Sequence, residues 1–273
     1  MRTHFVIPDT QVKPGVPTDH FRWIGQYIVD KKPDVIIHLG DHYDLPSLSS
    51  YDRGKLQFEG RRFRADVEAG NNALDILMAP MRAYNRNQLK NRKAQYKPQM
   101  EITFGNHEYR AERASGERPE LAGMVGFFLF EDYFQANGWN THRYGEVVDI
   151  DGIWYTHAMF HELTGRPMGA MASTMLKQIG HTFTMGHRQV YDLATRYVGE
   201  KMQRATIAGA CYLHDEEYKG PNRKDSARSA NHHWRGCLMK HDVVDGEYSL
   251  MELPLDFFCR RYEGVSLKEF QNG

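Results

Sequence analysis

The feature that most constrains this chain is a rhythm of short apolar runs, each closed by a polar, turn-forming residue. Residues 4–8 form one such run. Residues 34–39 form a second and end at Gly40-Asp41; residues 100–104 end at Gly105-Asn106. Residues 153–156 end at His157, and residues 182–185 end at Gly186-His187. Runs of this length bounded by turn residues read as strands. Residues 206–213, 236–244 and 247–253 predict later strands. Helices fall between them. Thr18 is placed to cap a helix whose apolar face is Phe21, Ile24 and Ile28. Residues 61–96 read as mostly helical with Pro80 as a break or kink, and residues 127–137 and 170–179 predict further helices. Strands interleaved with helices predict sheets covered by helices. No linker-like stretch divides residues 1–273, so a single domain is expected.

Composition excludes several classes. The 273 residues carry 35 Lys+Arg against 35 Asp+Glu, with 41% hydrophobic and 26% charged residues. That is a globular mix, and the zero balance excludes a globally basic nucleic-acid binder while leaving room for a local basic patch. The three cysteines, Cys211, Cys237 and Cys259, are odd in number and far apart, so neither a disulfide framework nor a Cys-x-x-Cys knuckle is expected. The N-terminus lacks a signal peptide's long apolar stretch. The most apolar run, residues 124–130, is far short of the roughly 20 residues a membrane span needs and reads as core packing. A cytoplasmic protein with no membrane partner and no obligate protein partner is the expectation.

Five strand ends carry residues able to bind a metal: Asp9, Asp41, Asn106, His157 and His187. Loops at the carboxyl ends of strands converge on one crevice, so five in succession point to a site. Glycine beside three of them (Gly40, Gly105, Gly186) lets the backbone turn sharply and approach an ion or phosphate. The blocks Asp9-Thr10-Gln11, Gly40-Asp41-His42-Tyr43-Asp44, Gly105-Asn106-His107-Glu108, Thr156-His157-Ala158 and Gly186-His187-Arg188-Gln189 resemble, in order and strand context, those of the calcineurin-like metallophosphoesterase family. The resemblance covers roughly residues 3–190. The wording of residues 212–216 and 234–236 is similar to members encoded by bacteriophages and prophages.

The resemblance implies an α+β fold: a four-layer αββα sandwich of two mixed sheets flanked by helices. It implies two divalent metals, bridged by Asp41, with Asp9 on the first and Asn106, His157 and His187 on the second. His107 is expected near the leaving-group and phosphoryl oxygens. Asp44 either orients His107 or caps a helix. Two positions depart from the family: Gln11 and Gln189 stand where it has histidine. Both belong to the first metal's set, which would then be Asp9, Gln11, Asp41 and Gln189, all oxygen donors if each amide turns its carbonyl inward. Hard oxygen sets favour Mn²⁺ or Mg²⁺ over Zn²⁺, so Mn²⁺ is expected, with Mg²⁺, Fe²⁺ or Zn²⁺ as alternatives. A degenerate, one-metal first site is the competing expectation.

The implied activity is phosphate-ester hydrolysis by a hydroxide held between two metals. Arg188 is placed to touch substrate, and Arg62, with Arg61 and Arg64, either binds phosphate or forms ordinary salt bridges. Residues 82–97 hold six basic residues (Arg82, Arg86, Lys90, Arg92, Lys93, Lys97), no acidic ones, and Tyr84 and Tyr96. Phosphate attraction with stacking is a nucleic-acid recipe, although such runs are also solvated faces. This stretch favours phosphodiesters, DNA or RNA among them. The alternatives are a phosphomonoesterase acting on nucleotides or phosphoproteins, and a catalytically weak binding protein. Among the other histidines, His181 is expected at the opposite strand end and His161 could replace His157. His232-His233-Trp234-Arg235 reads as an exposed loop, and residues 214–217 as an acidic turn or a supporting contact.

Overall fold

The structure, a computed structural model, describes residues 1–50, 58–216 and 233–272. Two mixed sheets form its centre. The first contains β1 (Arg2–Ile7), β2 (Val35–His38), β3 (Gln99–Thr103) and β4 (Asn140–His142), all parallel, extended at one edge by β10 (Gly236–Val244) and β11 (Glu247–Pro254). The second contains β6 (Ile153–Thr156), β7 (Phe183–Met185) and β9 (Lys201–Ala208) in parallel, with β5 (Val148–Ile150) and β8 (Tyr191–Val198) antiparallel at its edges. Helices α1 (Asp19–Lys31), α2 (Phe63–Lys90), α3 (Tyr109–Glu117), α4 (Phe128–Ala136), α5 (Ala172–Ile179), α6 (Leu255–Glu263) and α7 (Leu267–Asn272) connect and cover them.

The period-two alternation of strands sorts side chains into layers. From β1 and β2, Phe5, Ile7 and Ile36 join a core with Phe21 and Ile24 of α1, Leu74 and Leu77 of α2, Phe130 and Phe134 of α4 and Phe258 of α6. Their neighbours Val6, Val35 and Ile37 turn the other way and pack against Ile153 and Tyr155 of β6 and Ala208 of β9, so this cluster lies between the sheets. The outer face of the second sheet (Phe183, Met185, Ala205, Ile207) packs on Met175 and Leu176 of α5. The order is therefore helices, sheet, sheet, helix. β2 is buried on both faces, which is why it opens on the apolar run Val35-Ile36-Ile37.

Several elements differ from expectation, for local reasons. Thr18 makes no side-chain cap, and the first turn is held by its carbonyl, which accepts from Phe21 N at 3.0 Å. Pro80 lies inside a continuous α2 and does not divide it. The expected strand over residues 206–213 begins earlier and stops at Ala208, because Gly209 takes a positive φ of 79°. In the run 124–130, Phe127 and Phe130 are core residues but Met124 is exposed. β4, β5, β8, α3, α6 and α7 were not anticipated. Among the described residues, no helix is long and apolar enough to cross a membrane.

Candidate metal centre

Parallel strands send their carboxyl ends to one edge of each sheet, and the two sheets bring those edges together. Asp9 follows β1, Asp41 follows β2, Asn106 and His107 follow β3, His157 follows β6 and His187 follows β7. Two glycines permit the close approach. A Cβ on Gly105 would stand 2.1 Å from Asp41 Oδ1 and 2.7 Å from His157 Cε1; one on Gly186 would stand 2.3 Å from Asp9 Oδ1. Gln11, Asp41, Leu45, His187 and Gln189 all take left-handed backbone conformations, with φ between 45° and 67°. Such conformations are uncommon outside glycine and are held by their surroundings.

Asp41 is the centre of the arrangement. Its Oδ1 lies 3.4 Å from His157 Nε2 and accepts from His107 N at 3.0 Å; its Oδ2 accepts from Gln11 Nε2 at 3.0 Å. The two carboxylate oxygens thus face different donor sets. On the Oδ1 side, Asn106 Oδ1 lies 3.0 Å from His157 Nε2 and 2.7 Å from His187 Nδ1. Ligand atoms of Asp41, His157 and His187 lie within 4.8 Å of one another. His157 gives its Nδ1–H to the Leu39 carbonyl at 2.7 Å, which leaves Nε2 as the lone-pair nitrogen aimed at the cluster. Asp9 Oδ1 accepts from His187 N at 3.1 Å and lies 4.0 Å from His157 Nδ1.

The electrostatics suit cation binding. Burial lowers the pKa of His157 to about 4 and also lowers that of His187, so both are neutral imidazoles, the form that ligates metal. Burial, and then the neighbouring Asp41 carboxylate, hold Asp9 well above the usual carboxylate range. Burial would raise Asp41 too, but its neighbours, His107 first, outweigh it and hold its carboxyl below the usual range. Two acceptors, Asp9 Oδ2 and Gln11 Oε1, are buried with no hydrogen-bond partner among the described residues. A buried unpaired acceptor costs about 1–3 kcal/mol, and a cation between Asp9, Gln11 and Asp41 would satisfy both. The donor chemistry therefore fits divalent metal: oxygen atoms of Asp9, Gln11 and Asp41 in one set, and Asp41, Asn106, His157 and His187 in the other. Gln189 is buried, but its Oε1 already accepts from the Tyr212 hydroxyl at 3.0 Å.

His107 stands beside the cluster, with Nε2 3.7 Å from Asp41 Oδ2. Its Nδ1 is 2.8 Å from Asp44 Oδ1, so Asp44 fixes the ring. Burial opposes protonation of His107, yet Asp41 and Asp44 outweigh it and raise its pKa. Asp44 is in turn held well below the usual range, against burial, by His107, Lys13 and Arg110. Lys13 Nζ bridges Asp44 Oδ2 at 3.1 Å and Glu216 Oε2 at 2.9 Å.

The remaining expected residues lie elsewhere. Arg188 Nη1 donates to the Ala170 carbonyl. Arg62 is exposed ahead of α2 and donates to the Arg61 carbonyl. Neither hydrogen-bonds to a cluster residue. His181 stacks on Trp154 at the opposite strand end, and His161 sits in a turn whose N–H bonds the Arg166 carbonyl. His233 Nε2 lies 3.2 Å from the Tyr212 hydroxyl, while Glu217 and His232 fall outside the described residues. The basic stretch lies at the far end of the strands. The Tyr96 hydroxyl donates to the Pro33 carbonyl just before β2, Lys32 bonds the Tyr84 hydroxyl, and Arg82 bonds Asn137 just before β4.

Two residues of the site escaped the sequence reading. Glu108 accepts from the backbone N–H groups of Gly105, Asp41 and Tyr43 at 2.8–3.1 Å and so ties the second and third blocks together. Burial and Asp41 push its pKa up to about 7. Arg110 follows His107 by three, a spacing that shares a helix face, and its Nη2 lies 3.1 Å from His107 Nε2.

No family model matches the chain. It is similar to the Gene 54 protein of Mycobacterium phage D29, at 27% identity over 150 residues covering 55% of this chain and 53% of that protein. It is also similar to the Gene 54 protein of Mycobacterium phage L5, at 24% identity over 190 residues covering 66% and 69% of the two. The chain thus spans about half the length of the first of these relatives and about two thirds of the second. A solved structure aligns over 92% of this chain and 99% of its own at 12% identity, with a TM-score of 0.33, a likeness too slight to assign a fold family. The relatives agree with a phage origin.

Proposed function

We propose that this chain is a metal-dependent phosphoesterase of the metallophosphoesterase type. The observation that carries the reading is the meeting of Asp9, Asp41, Asn106, His157 and His187 at the joined strand ends, with the two oxygens of Asp41 facing different donor sets. A phosphate ester resists hydrolysis because its anionic oxygens repel a nucleophile. Divalent cations held by these residues would neutralise that charge and lower the pKa of a bound water.

The chain's own groups supply the rest. Asp41, anchored by the His107 and Gln11 N–H groups, holds the two donor sets in register. The Leu39 carbonyl fixes the His157 ring. Asp44 orients His107, whose Nε2 faces the cluster and carries the proton for the departing alkoxide, a role typically contributing 10²–10⁴-fold. The oxygen character of the Asp9–Gln11–Asp41 set favours Mn²⁺ or Mg²⁺. The substrate class is a phosphate ester. The basic stretch that favoured nucleic acid lies at the far strand ends, so it lends this site no selectivity.

A single screen tests the reading. Bis-p-nitrophenyl phosphate, p-nitrophenyl phosphate and labelled DNA and RNA are offered with Mn²⁺, Mg²⁺ or Zn²⁺, with Asp41→Asn as the contaminant control. Metal-dependent turnover that vanishes in Asp41→Asn supports the reading, and the substrates cleaved divide diesterase from monoesterase. Metal binding with no turnover on any substrate would replace it with a binding protein.

A further inference from the structure

We infer that Arg110 is the substrate-binding arginine of the site, its guanidinium gripping a non-bridging phosphoryl oxygen; this deepens the phosphoesterase reading and rests on it. The position comes first. Arg110 Nη2 is 3.1 Å from His107 Nε2, which is itself 3.7 Å from Asp41 Oδ2, so the guanidinium lies within about 7 Å of the Asp41 carboxylate. A tetrahedral phosphoryl group spans such a gap, with one oxygen toward the cluster and another toward Arg110.

The second argument is how the guanidinium is held. Nη1 donates to the Asp44 carbonyl at 2.6 Å and the Leu45 carbonyl at 3.4 Å, with Asp44 Oδ1 at 3.6 Å. Leu45 takes a left-handed conformation, φ 48°, a costly state for a leucine, and its carbonyl belongs to the Arg110 cradle. Nη1 is thus fixed mainly by neutral backbone oxygens, and among the described residues no carboxylate pairs with Nη2. Nη2 carries two N–H bonds. Nη2 lies 3.1 Å from His107 Nε2, and among the described residues it has no other partner. A charged donor positioned this way is ready for an anionic oxygen.

The third argument is contrast with the other cations nearby. Lys13 is matched by two carboxylates, Asp44 and Glu216. Arg188 is turned onto the Ala170 carbonyl, and Arg62 is exposed outside the cluster. The Arg110 side chain is 16% exposed, sheltered enough for a strong contact yet open to an incoming ligand.

The test uses the whole, Mn²⁺-loaded protein. The wild type, Arg110→Lys and Arg110→Ala are compared for KM and kcat on p-nitrophenyl phosphate and bis-p-nitrophenyl phosphate, and for competitive inhibition by inorganic phosphate. Thermal melts and metal content control for folding. The expected result is an inhibition constant for phosphate and a KM each raised at least tenfold in Arg110→Ala, with metal content unchanged. Arg110→Lys should fall between, because it keeps the charge and loses the planar fork. On the wild type, inorganic phosphate should protect Arg110 from phenylglyoxal as read by peptide mass mapping, so the inference is testable even if a variant misfolds. Unchanged KM and inhibition in folded variants, or modification of Arg110 unaffected by phosphate in an active wild type, would overturn the assignment of Arg110 alone. A wild type that neither hydrolyses esters nor binds phosphate would overturn the phosphoesterase reading, and this inference with it.

Discussion

The two ends of the same strands are built from different materials. At the amino ends, polar groups are half-buried and satisfied: Arg2 donates to Asp151 and Gln99, Thr3 pairs with Asp34, and Tyr96 bonds Pro33. Left-handed residues occur there too, but at a helix end (Lys32) and in hairpin turns (Asp151, Asp245), where they are routine. At the carboxyl ends the same conformations fall on Gln11, Asp41, His187 and Gln189, on carboxylates buried against each other, and next to acceptors with no partner. One end is arranged for stability. The other holds unfavourable charge and strain that a bound cation would relieve.

That contrast breaks most visibly if the carboxyl end is altered. Asp41→Asn, and Gly105→Ala through its clash with Asp41 and His157, should each lose phosphate-ester turnover by about 10⁴-fold or more and bind less metal. Metal content and steady-state kinetics check both, and either variant retaining wild-type values would uncouple the cluster from activity. His107→Ala should keep its metal and lose about 10²–10⁴-fold in kcat; unchanged kcat would remove His107 from the chemistry.

Acidification gives a smaller effect. Burial holds His42 at about 4 and His20 at about 3, against 6.5 for an unburied histidine. Between pH 6.5 and 4 the unfolded chain therefore binds protons that these folded groups refuse, and stability falls as pH falls. A histidine of this kind costs about 2 kcal/mol at pH 5. His107, whose pKa is raised, acts in the opposite sense: its contribution is complete below 6.5 and fades as pH rises through its folded value. Glu108 and Asp9, raised by burial and Asp41, act in the same sense as His107. The lowered histidines (His4, His20, His38, His42, His157 and His187) outnumber these three, so urea melts of the metal-free protein should show a lower midpoint at pH 5 than at pH 7. An equal or higher midpoint at pH 5 would contradict this balance. The smallest effect belongs to the amino end: replacing the exposed Arg92, Lys93 and Lys97 with serine should change turnover less than about twofold and stability by about 0.5 kcal/mol or less per residue. A large loss of DNA or RNA cleavage in that variant would return the basic stretch to the function.

The strands that carry the cluster were legible because buried parallel strands are short apolar runs with sharp polar ends. β2 and β6 lie within a residue or two of where the sequence puts them. β8 was not legible: it is an edge strand with a mixed, half-exposed pattern, and only its pairing with β9 defines it. α3 begins just after the third block, and its weak apolar face, which buries only Ala111, gave no helical signal. Within the site, the meeting of Asp9, Asp41, Asn106, His157 and His187 followed from strand order. The roles of Glu108 and Arg110 did not, since each acts through backbone atoms of a loop distant in sequence. Which end of the sheet the basic stretch occupies was not legible, because charge is visible in a sequence and the end of a sheet is not.

The most direct test of the account is the metal content of the chain after Mn²⁺ loading and removal of free ion, measured by mass spectrometry beside Asp41→Asn. Two donor sets sharing Asp41 predict about two Mn²⁺ per wild-type chain and a clear loss in the variant. A wild type that retains no metal, or a variant that retains as much as the wild type, would contradict it.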